Sequence, residues 1–482
     1  MHHPPATRHG HGHDAPPPAA SWAPLALLVV AQFMVVLDIT VVNVALPSIG
    51  DALHVAGSRL QWVVTAYVLL TGGLMLFGGR LADLAGRRTV FLAGLGLFTG
   101  ASLASGAASS ASLLVGARAL QGAGAALLLP AALSLVTTIY AGHQRAKALA
   151  VWGTVGSAGA AAGVVLGGAL TEALGWRAIF FVNVPIGLAV AAAAMRTLPG
   201  LPGAGVRGGR LDVAGAATLV AGLVTLVLAI ENTADHGWMS ASTLAMAALA
   251  VSLLGRFAAV ERTAARPLVD PATWRNRPLV TGAGVMLVAT GILVGALFLG
   301  ALVLQRAMGA SPLEAGVGLL PLAVAILGGV HVASHLLPRL GSRWTVVAGL
   351  LVAAGGATQL ASAPGDPSYA AHLLPGLVVL GAGVGATFVA VSVAAMADVE
   401  PEQAGLASGL MTTAHELGAA LGVAVLGAIV AAALNGGGGA DLVDGCDTAF
   451  LVAGNVAAAA ALVAALTLPS VRPQPGVAHG IH

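Results

Sequence analysis

The sequence predicts an all-α protein that crosses a lipid bilayer fourteen times. Three observations carry this: the composition, a series of long apolar stretches, and the placement of basic residues between them. Of 482 residues, 57% are hydrophobic and 8% are charged, and the mean hydropathy is +0.92. Soluble domains carry about 25% charged residues. A chain this long with so few charges lacks a water-facing surface, so its solvent is lipid. The net charge of +2 gives no basis for a nucleic-acid surface. Cys446 is the sole cysteine, which rules out an intrachain disulfide. Lys147 is the sole lysine, and with the heavy Ala and Gly usage this points to a GC-rich bacterial genome.

A spanning helix needs about 20 mainly apolar residues. The first six such stretches are Leu25–Leu46, Trp62–Gly79, Val90–Ala108, Leu113–Ile139, Leu149–Leu170 and Ile179–Ala194. Val213–Ile230 and Thr243–Val260 follow between polar linkers. The last six are Leu279–Leu304, Leu313–Leu337, Trp344–Ala363, Leu373–Ala397, Gly405–Leu434 and Ala449–Leu468. The positive-inside rule tests this division. With the N-terminus inside, cytoplasmic loops hold Arg8, Arg80, Arg87, Arg88, Arg145, Lys147, Arg196, Arg207, Arg210, Arg256, Arg262, Arg266, Arg275, Arg277, Arg339, Arg343 and Arg472. External loops hold Arg59, Arg177 and Arg306, and Arg118 lies within a helix. Both termini are therefore expected in the cytoplasm. A missed helix would scramble the later loops.

A weak internal repeat divides the chain. Gly79-Arg-Leu-Ala-Asp-Leu-Ala-Gly-Arg-Arg88 aligns with Ser334-His-Leu-Leu-Pro-Arg-Leu-Gly-Ser-Arg343, with a Leu, the Gly and the last Arg in register. Helix four carries Gly122-Ala-Gly124 and helix twelve Gly381-Ala-Gly383. The expected plan is a disordered His/Pro-rich tail (1–24), a six-helix bundle (25–197), a connector with two more helices (198–278), a second six-helix bundle (279–468) and a tail (469–482). Repeats of this kind place a substrate site near the midplane, between the halves. The tail histidines His2, His3, His9, His11 and His13 are expected in a solvated segment rather than a metal site. His331 and His335 have the spacing of a metal pair but no third ligand.

Charges inside spans cost about 2.5–3.5 kcal/mol on insertion scales and mark functional candidates. Asp38 in helix one, Arg118 in helix four and Glu416 in helix thirteen stand out. A rise of about 1.5 Å per residue puts Asp38 and Arg118 at similar depth, and Glu416 near the middle. Low dielectric favours the neutral form of a carboxyl group and a neighbouring guanidinium favours the charged form. A movable pair of this sort meets the requirement of a proton-coupled step. The alternatives are a static pair, or an aspartate bonded beside Thr40 and Asn43. Glu231 is expected to be solvated at the outer end of helix seven.

Four motifs in order resemble the 14-helix drug:proton antiporters of the major facilitator superfamily, over about Leu25 to Leu468. They are Leu37-Asp-Ile-Thr-Val-Val-Asn-Val-Ala-Leu-Pro47, the loop Gly79 to Arg88, Arg118-Ala-Leu-Gln-Gly-Ala-Gly124, and Trp176-Arg-Ala-Ile-Phe-Phe-Val-Asn-Val-Pro-Ile-Gly187. The resemblance implies the major facilitator fold and proton coupling at Arg118, the partner of Asp38; Glu416 and His415 are further proton candidates because a histidine stands beside a carboxylate within a span. It implies a cytoplasmic gating loop of Gly79, Asp83, Gly86, Arg87 and Arg88, with Asp83 meeting the start of helix thirteen near Gly405. Asp38, Thr40, Asn43, Gln121 and Glu416 are cavity candidates. The helix-five glycine motif is kept at Gly163, Gly167 and Gly168, but Val164 replaces the family's proline. His415-Glu416 stands where the family pattern is polar and not acidic.

The expected function is export of small hydrophobic or amphipathic molecules from a bacterial cell, driven by the proton gradient across the inner membrane. No cofactor or metal is expected, and no Gly-x-x-x-x-Gly-Lys-Ser/Thr motif marks a nucleotide site. A dedicated exporter of one metabolite is the alternative, followed by a non-transporting sensor or scaffold. The topology is testable with reporter fusions. Fusions after Arg210 and Arg277 should report cytoplasm, and one at His236 should report the exterior. A cytoplasmic signal at His236 would remove the helix pair from the connector.

Overall fold

The computed structural model describes residues 21–55, 58–200, 212–264, 267–269, 271–362, 368–399, 404–435 and 442–472. The His-rich tail, Arg207 and Arg210 lie outside the described residues. Those described are helical throughout, with no strand among them. The first bundle is α1 (Ala23–Leu53), α2 (Ser58–Ala85), α3 (Arg87–Gly106), α4 (Ala111–Ile139), α5 (Gly142–Leu174) and α6 (Ala178–Thr197). The inserted pair is α7 (Val213–His236) and α8 (Ala241–Thr263). The second bundle begins with α9 (Arg277–Ala307). A continuous run, Pro312–Leu360, is divided at Gly341 into α10 and α11. Then come α12 (Tyr369–Ala395), α13 (Ala404–Asn435) and α14 (Leu442–Thr467).

Local chemistry sets the helix starts. Ser110, Asp212, Ser240 and Asn276 each accept a backbone N–H in the first turn of α4, α7, α8 and α9. Ser311 and Glu314 form a capping box at α10. Between α10 and α11 the chain turns through Gly341, whose φ of 80° suits glycine. Gly86, at the aligned position between α2 and α3, has φ of 94°.

The repeat is visible as matching contacts. On α4, a Cβ at Gly122 would lie 2.2 Å from the Tyr67 carbonyl oxygen on α2, and one at Gly124 would lie 2.6 Å from the Phe98 nitrogen on α3. On α12, a Cβ at Gly381 would lie 2.6 Å from the Leu322 carbonyl oxygen on α10, and one at Gly383 would lie 2.3 Å from the Ala353 nitrogen on α11. Each glycine pair thus presses the fourth helix of its bundle onto the second and third, as small residues allow in lipid. The loop arginines match as well. Arg88 donates to the Met195 carbonyl near the end of α6, and Arg343 donates to the Leu468 carbonyl just past α14. Each cation meets the negative end of the sixth helix of its bundle.

Arg80, Arg87, Arg88, Arg339 and Arg343 define an arginine-rich face; the other is the distal face. The described bonds between the bundles lie at the distal face. Gln305 donates to the Val44 carbonyl at 2.8 Å, and Arg306 donates to the Pro47 carbonyl at 3.1 Å and pairs with Asp51. Glu172 at the end of α5 accepts from Ser311 Oγ at 2.7 Å and from the Leu313 nitrogen at 3.1 Å, at the start of α10. The molecule is therefore latched at the distal face. A paired substitution tests the packing reading. Gly122→Ala should cost about 1–3 kcal/mol, seen as a lower Tm in detergent. Gly96→Ala, where a Cβ meets open space, should leave Tm unchanged or higher. Equal effects would contradict close helix packing at Gly122.

Candidate functional site

Asp38 and Arg118 meet. They form an ion pair between α1 and α4, with side-chain exposures of 1% and 0%. Depth alone predicts their proximity; the structure shows how the charges are satisfied. Arg118 Nε donates to the Val63 carbonyl at 2.8 Å, and Nη1 donates to Asp38 and to Gln121 Oε1 at 2.8 Å. Gln121 Nε2 donates to Asp38 Oδ1 and to Ser102 Oγ, each at 2.8 Å. Asn183 Nδ2 donates to the same Asp38 oxygen at 2.8 Å. Arg118 Nη2 is buried without a hydrogen-bond partner. The guanidinium instead lies over the Tyr67 ring, 4.1 Å from its centroid, with Phe180 at 5.7 Å. Cation–π attraction offsets part of that loss.

The cluster draws on α1, α2, α3, α4 and α6, all in the first bundle. Gln121, expected as a cavity residue, clamps both members of the pair. Thr40 and Asn43 do not join it. Thr40 Oγ1 donates to the Leu37 carbonyl at 3.0 Å, and Asn43 Nδ2 donates to the Ile39 carbonyl at 2.9 Å, both within α1. Ser102, Tyr67 and Asn183 were not assigned from sequence. Asn183 sits inside the Trp176–Gly187 motif, so a signal was present. Ser102 and Tyr67 are ordinary polar residues in apolar helices and carry no such signal.

Glu416 lies on the other bundle, at the contact of α13 with α2. It is 7% exposed, and a Cβ at Gly72 would lie 2.9 Å from Glu416 Cβ. His415 Nδ1 is 3.4 Å from Glu416 Oε1, and the His415 and Phe388 rings are 5.7 Å apart. Glu231 is not solvated as expected. It is 8% exposed and accepts a hydrogen bond from the Trp62 indole, tying α7 to α2. Glu231 is covered because α7 packs against α2. Asp83 is exposed and pairs with Arg87 at 3.7 Å. Residues 400–403, ahead of α13, lie outside the described residues, and the expected contact of Asp83 near Gly405 is not among the described bonds.

The helix-five motif packs on both sides. A Cβ at Gly167 would lie 2.8 Å from Val41 Cα on α1, and one at Gly163 would overlap Thr40. A Cβ at Gly168 would lie 2.4 Å from the Pro312 carbonyl oxygen, and one at Gly316 would lie 2.3 Å from the Val164 carbonyl oxygen. α5 runs unbroken through Val164. A cavity of about 540 Å³ lies at the distal face, lined by Asp51, His54, Gln61, Phe298 and Arg306 among others. It contains none of the expected site residues.

Residues 28–423 match the sequence profile of the Major Facilitator Superfamily, with a second match at 303–481. The chain belongs to the major facilitator superfamily. Among major facilitator relatives, it is 41% identical over 333 residues to the cephamycin export protein of Amycolatopsis lactamdurans, covering 68% of each chain. It is 42% identical over 345 residues to the puromycin resistance protein of Streptomyces alboniger, covering 70% of this chain and 67% of that one. The fold is shared with a bacterial homologue of the human lysosomal transporter Spinster, solved in an inward-facing and occupied conformation. The TM-score is 0.66 over 94% of this chain and 98% of that one, at 17% identity. As a major facilitator protein this chain is a multi-pass membrane transporter. Its buried polar cluster lies wholly within the first bundle.

Proposed function

We propose that this transporter exports small hydrophobic or amphipathic organic molecules in exchange for protons. The arginine-rich face and both termini lie in the cytoplasm of a bacterial cell, as the positive-inside rule requires. The observation that carries proton exchange is the buried Asp38–Arg118 pair. Removing two ions from water costs several kcal/mol each, so the pair persists only with good geometry and added hydrogen bonds. A proton on Asp38 cancels the attraction and turns one acceptor into a donor. Arg118 then retains Val63, Gln121 and the Tyr67 ring. The cluster has two arrangements that differ by one proton, which is what coupling needs. No cofactor takes part, and the proton gradient supplies the energy.

In the state seen here the pair is formed and the distal face is latched. That state faces the cytoplasm, where cargo binds and the proton of Asp38 is given up. A proton taken from the exterior in the opposite state resets the cycle. Relatives named for export of cephamycin and resistance to puromycin support antibiotics as the cargo class. Because each is named for one compound, a dedicated antibiotic exporter is the second reading. A resistance panel in a pump-deficient host separates a single protected compound from many.

Asp38→Asn keeps the shape and cannot ionise. It should abolish uphill export while leaving insertion and cargo binding, and binding should lose its dependence on pH. Full proton-driven transport by this variant would remove the mechanism. Glu416→Gln separates two roles for the second carboxylate. If Glu416 recognises charge, cationic cargo is lost and neutral cargo is spared; if it carries a proton, both fall. Unchanged transport of both classes would leave Glu416 only as a packing element.

A further inference from the structure

Two carboxylates converge at the arginine-rich end of the inserted pair, and the Asp38–Arg118 cluster uses neither. Asp212 opens α7, where its Oδ1 accepts the Gly215 N–H at 2.7 Å. Glu261 lies in the last turn of α8 and is 3% exposed. Its Oε2 accepts the Val269 N–H at 3.0 Å. The second oxygen of each, Asp212 Oδ2 and Glu261 Oε1, is buried without a hydrogen-bond partner. Both lie over one point: a Cβ at Gly215 would stand 2.5 Å from the former and 2.9 Å from the latter. α8 packs chiefly on α7. The groups that face Glu261 are therefore Asp212 from α7 and the Leu268–Val269 backbone from the segment leading to α9. Arg256 and Arg262 on α8 are exposed, and among the described residues no cation pairs with either carboxylate. No third His, Cys, Asp or Glu among them completes a metal site. The segment held by Glu261 spans the two bundles. Its Pro267 carbonyl accepts from Arg80 at the end of α2, at 3.4 Å. Farther on, Asn276 donates to the Asp398 carbonyl just past α12, at 3.2 Å.

We infer that Asp212 and Glu261 bind one proton between them, and that this proton keeps the segment docked and slows the transporter when the cytoplasm is acid. Two ionised carboxylates so placed repel each other where water screens them poorly. One proton replaces that repulsion with a hydrogen bond between the two unpartnered oxygens and satisfies both. Loss of the proton drives Glu261 toward water, and its bond to Val269 goes with it. The docked segment ties Arg80 of the first bundle to the start of α9 in the second. It therefore braces the cytoplasm-facing state against rocking. The site stands apart from Asp38, so it senses cytoplasmic pH without taking part in exchange. An exchanger that brings protons in is thereby slowed as they accumulate. That sense of regulation rests on the proton-exchange reading above; the proton site itself does not.

Docking is read on purified protein from the rate at which maleimide labels Leu268→Cys, a buried position, with the native thiol removed by Cys446→Ser. At each pH the rate is divided by that of the same protein carrying Glu261→Gln, which cancels the pH dependence of the thiol. Glu261→Gln cannot ionise; its amide donates to Asp212 and its oxygen accepts from Val269, so the segment stays docked. The ratio should be near one at about pH 5.5 and rise roughly fivefold or more by about pH 8.5. Asp212→Asn keeps the helix cap and donates to an ionised Glu261, so it should hold the ratio near one throughout. A flat ratio in the parent, or a rise that persists in Asp212→Asn, would overturn the shared proton. Regulation is read as tetraphenylphosphonium uptake into inverted vesicles, with the proton gradient fixed while the pH on both sides is raised together. Wild type should quicken relative to Glu261→Gln by roughly twofold or more. Parallel pH profiles would overturn the brace. If wild type takes up no probe on a proton gradient, the exchange reading falls and the regulation with it, while the labelling ratio still decides the proton site.

Discussion

A charge pair shielded from both water and lipid has to be satisfied from within the protein, and much of the first bundle is arranged around that need. Asp38 receives three donors and Arg118 reaches three acceptors and a tyrosine face. Four helices contribute to those contacts, and a fifth, α3, holds Gln121 through Ser102. Removing one partner from a buried pair typically costs about 3–5 kcal/mol, because the other charge stays behind. The helices of this bundle are therefore held in register by the same groups that a proton can rearrange. Small helix contacts serve that register. Gly122 lets the Tyr67 backbone approach α4 one residue from Gln121, and Thr71 reaches both the Tyr67 and Gly122 carbonyls.

The cluster lies in one bundle, so its state has to be passed to the other. α2 is the element placed to do this. It carries Val63 and Tyr67, which hold Arg118, and one turn farther on Gly72 rests against Glu416 of α13. A shift of α2 on loss of the ion pair bears directly on the second carboxylate. α5 has a different part. Its glycines bring it against α1 and α10 near the distal face, where Glu172 caps α10. That contact joins the two bundles at the distal face, and it survives without a proline at Val164 because close packing needs only the glycines.

Much of the fold was legible in the sequence because lipid imposes simple rules. Spans must be long and apolar, and cations collect on one face, so the helices and their alternation followed from counting. The loop repeat was legible too, through Gly86 and Gly341, since each breaks the chain with a left-handed backbone. Its chemistry was not. Arg88 was expected in the gating loop and Arg343 only as a cytoplasmic cation of the aligned loop, yet each caps a helix about a hundred residues away or more. The same limit applied to the site. Asp38 and Arg118 stood out because charge in a span is rare. Ser102 and Tyr67 did not, since a polar side chain gains meaning only when the partner on another helix is known. Glu231 was misread because a helix end looks solvated until the connector's packing on α2 is seen.

Exchange of a proton on Asp38 for cargo is measurable without transport. Purified protein in weakly buffered detergent solution, held at a pH where Asp38 is partly protonated, receives tetraphenylphosphonium while a pH indicator follows proton release. Wild type should release protons on binding, with the amount varying with starting pH, and Asp38→Asn should bind and release none. Undiminished release from Asp38→Asn would contradict the account and place the exchanged proton elsewhere.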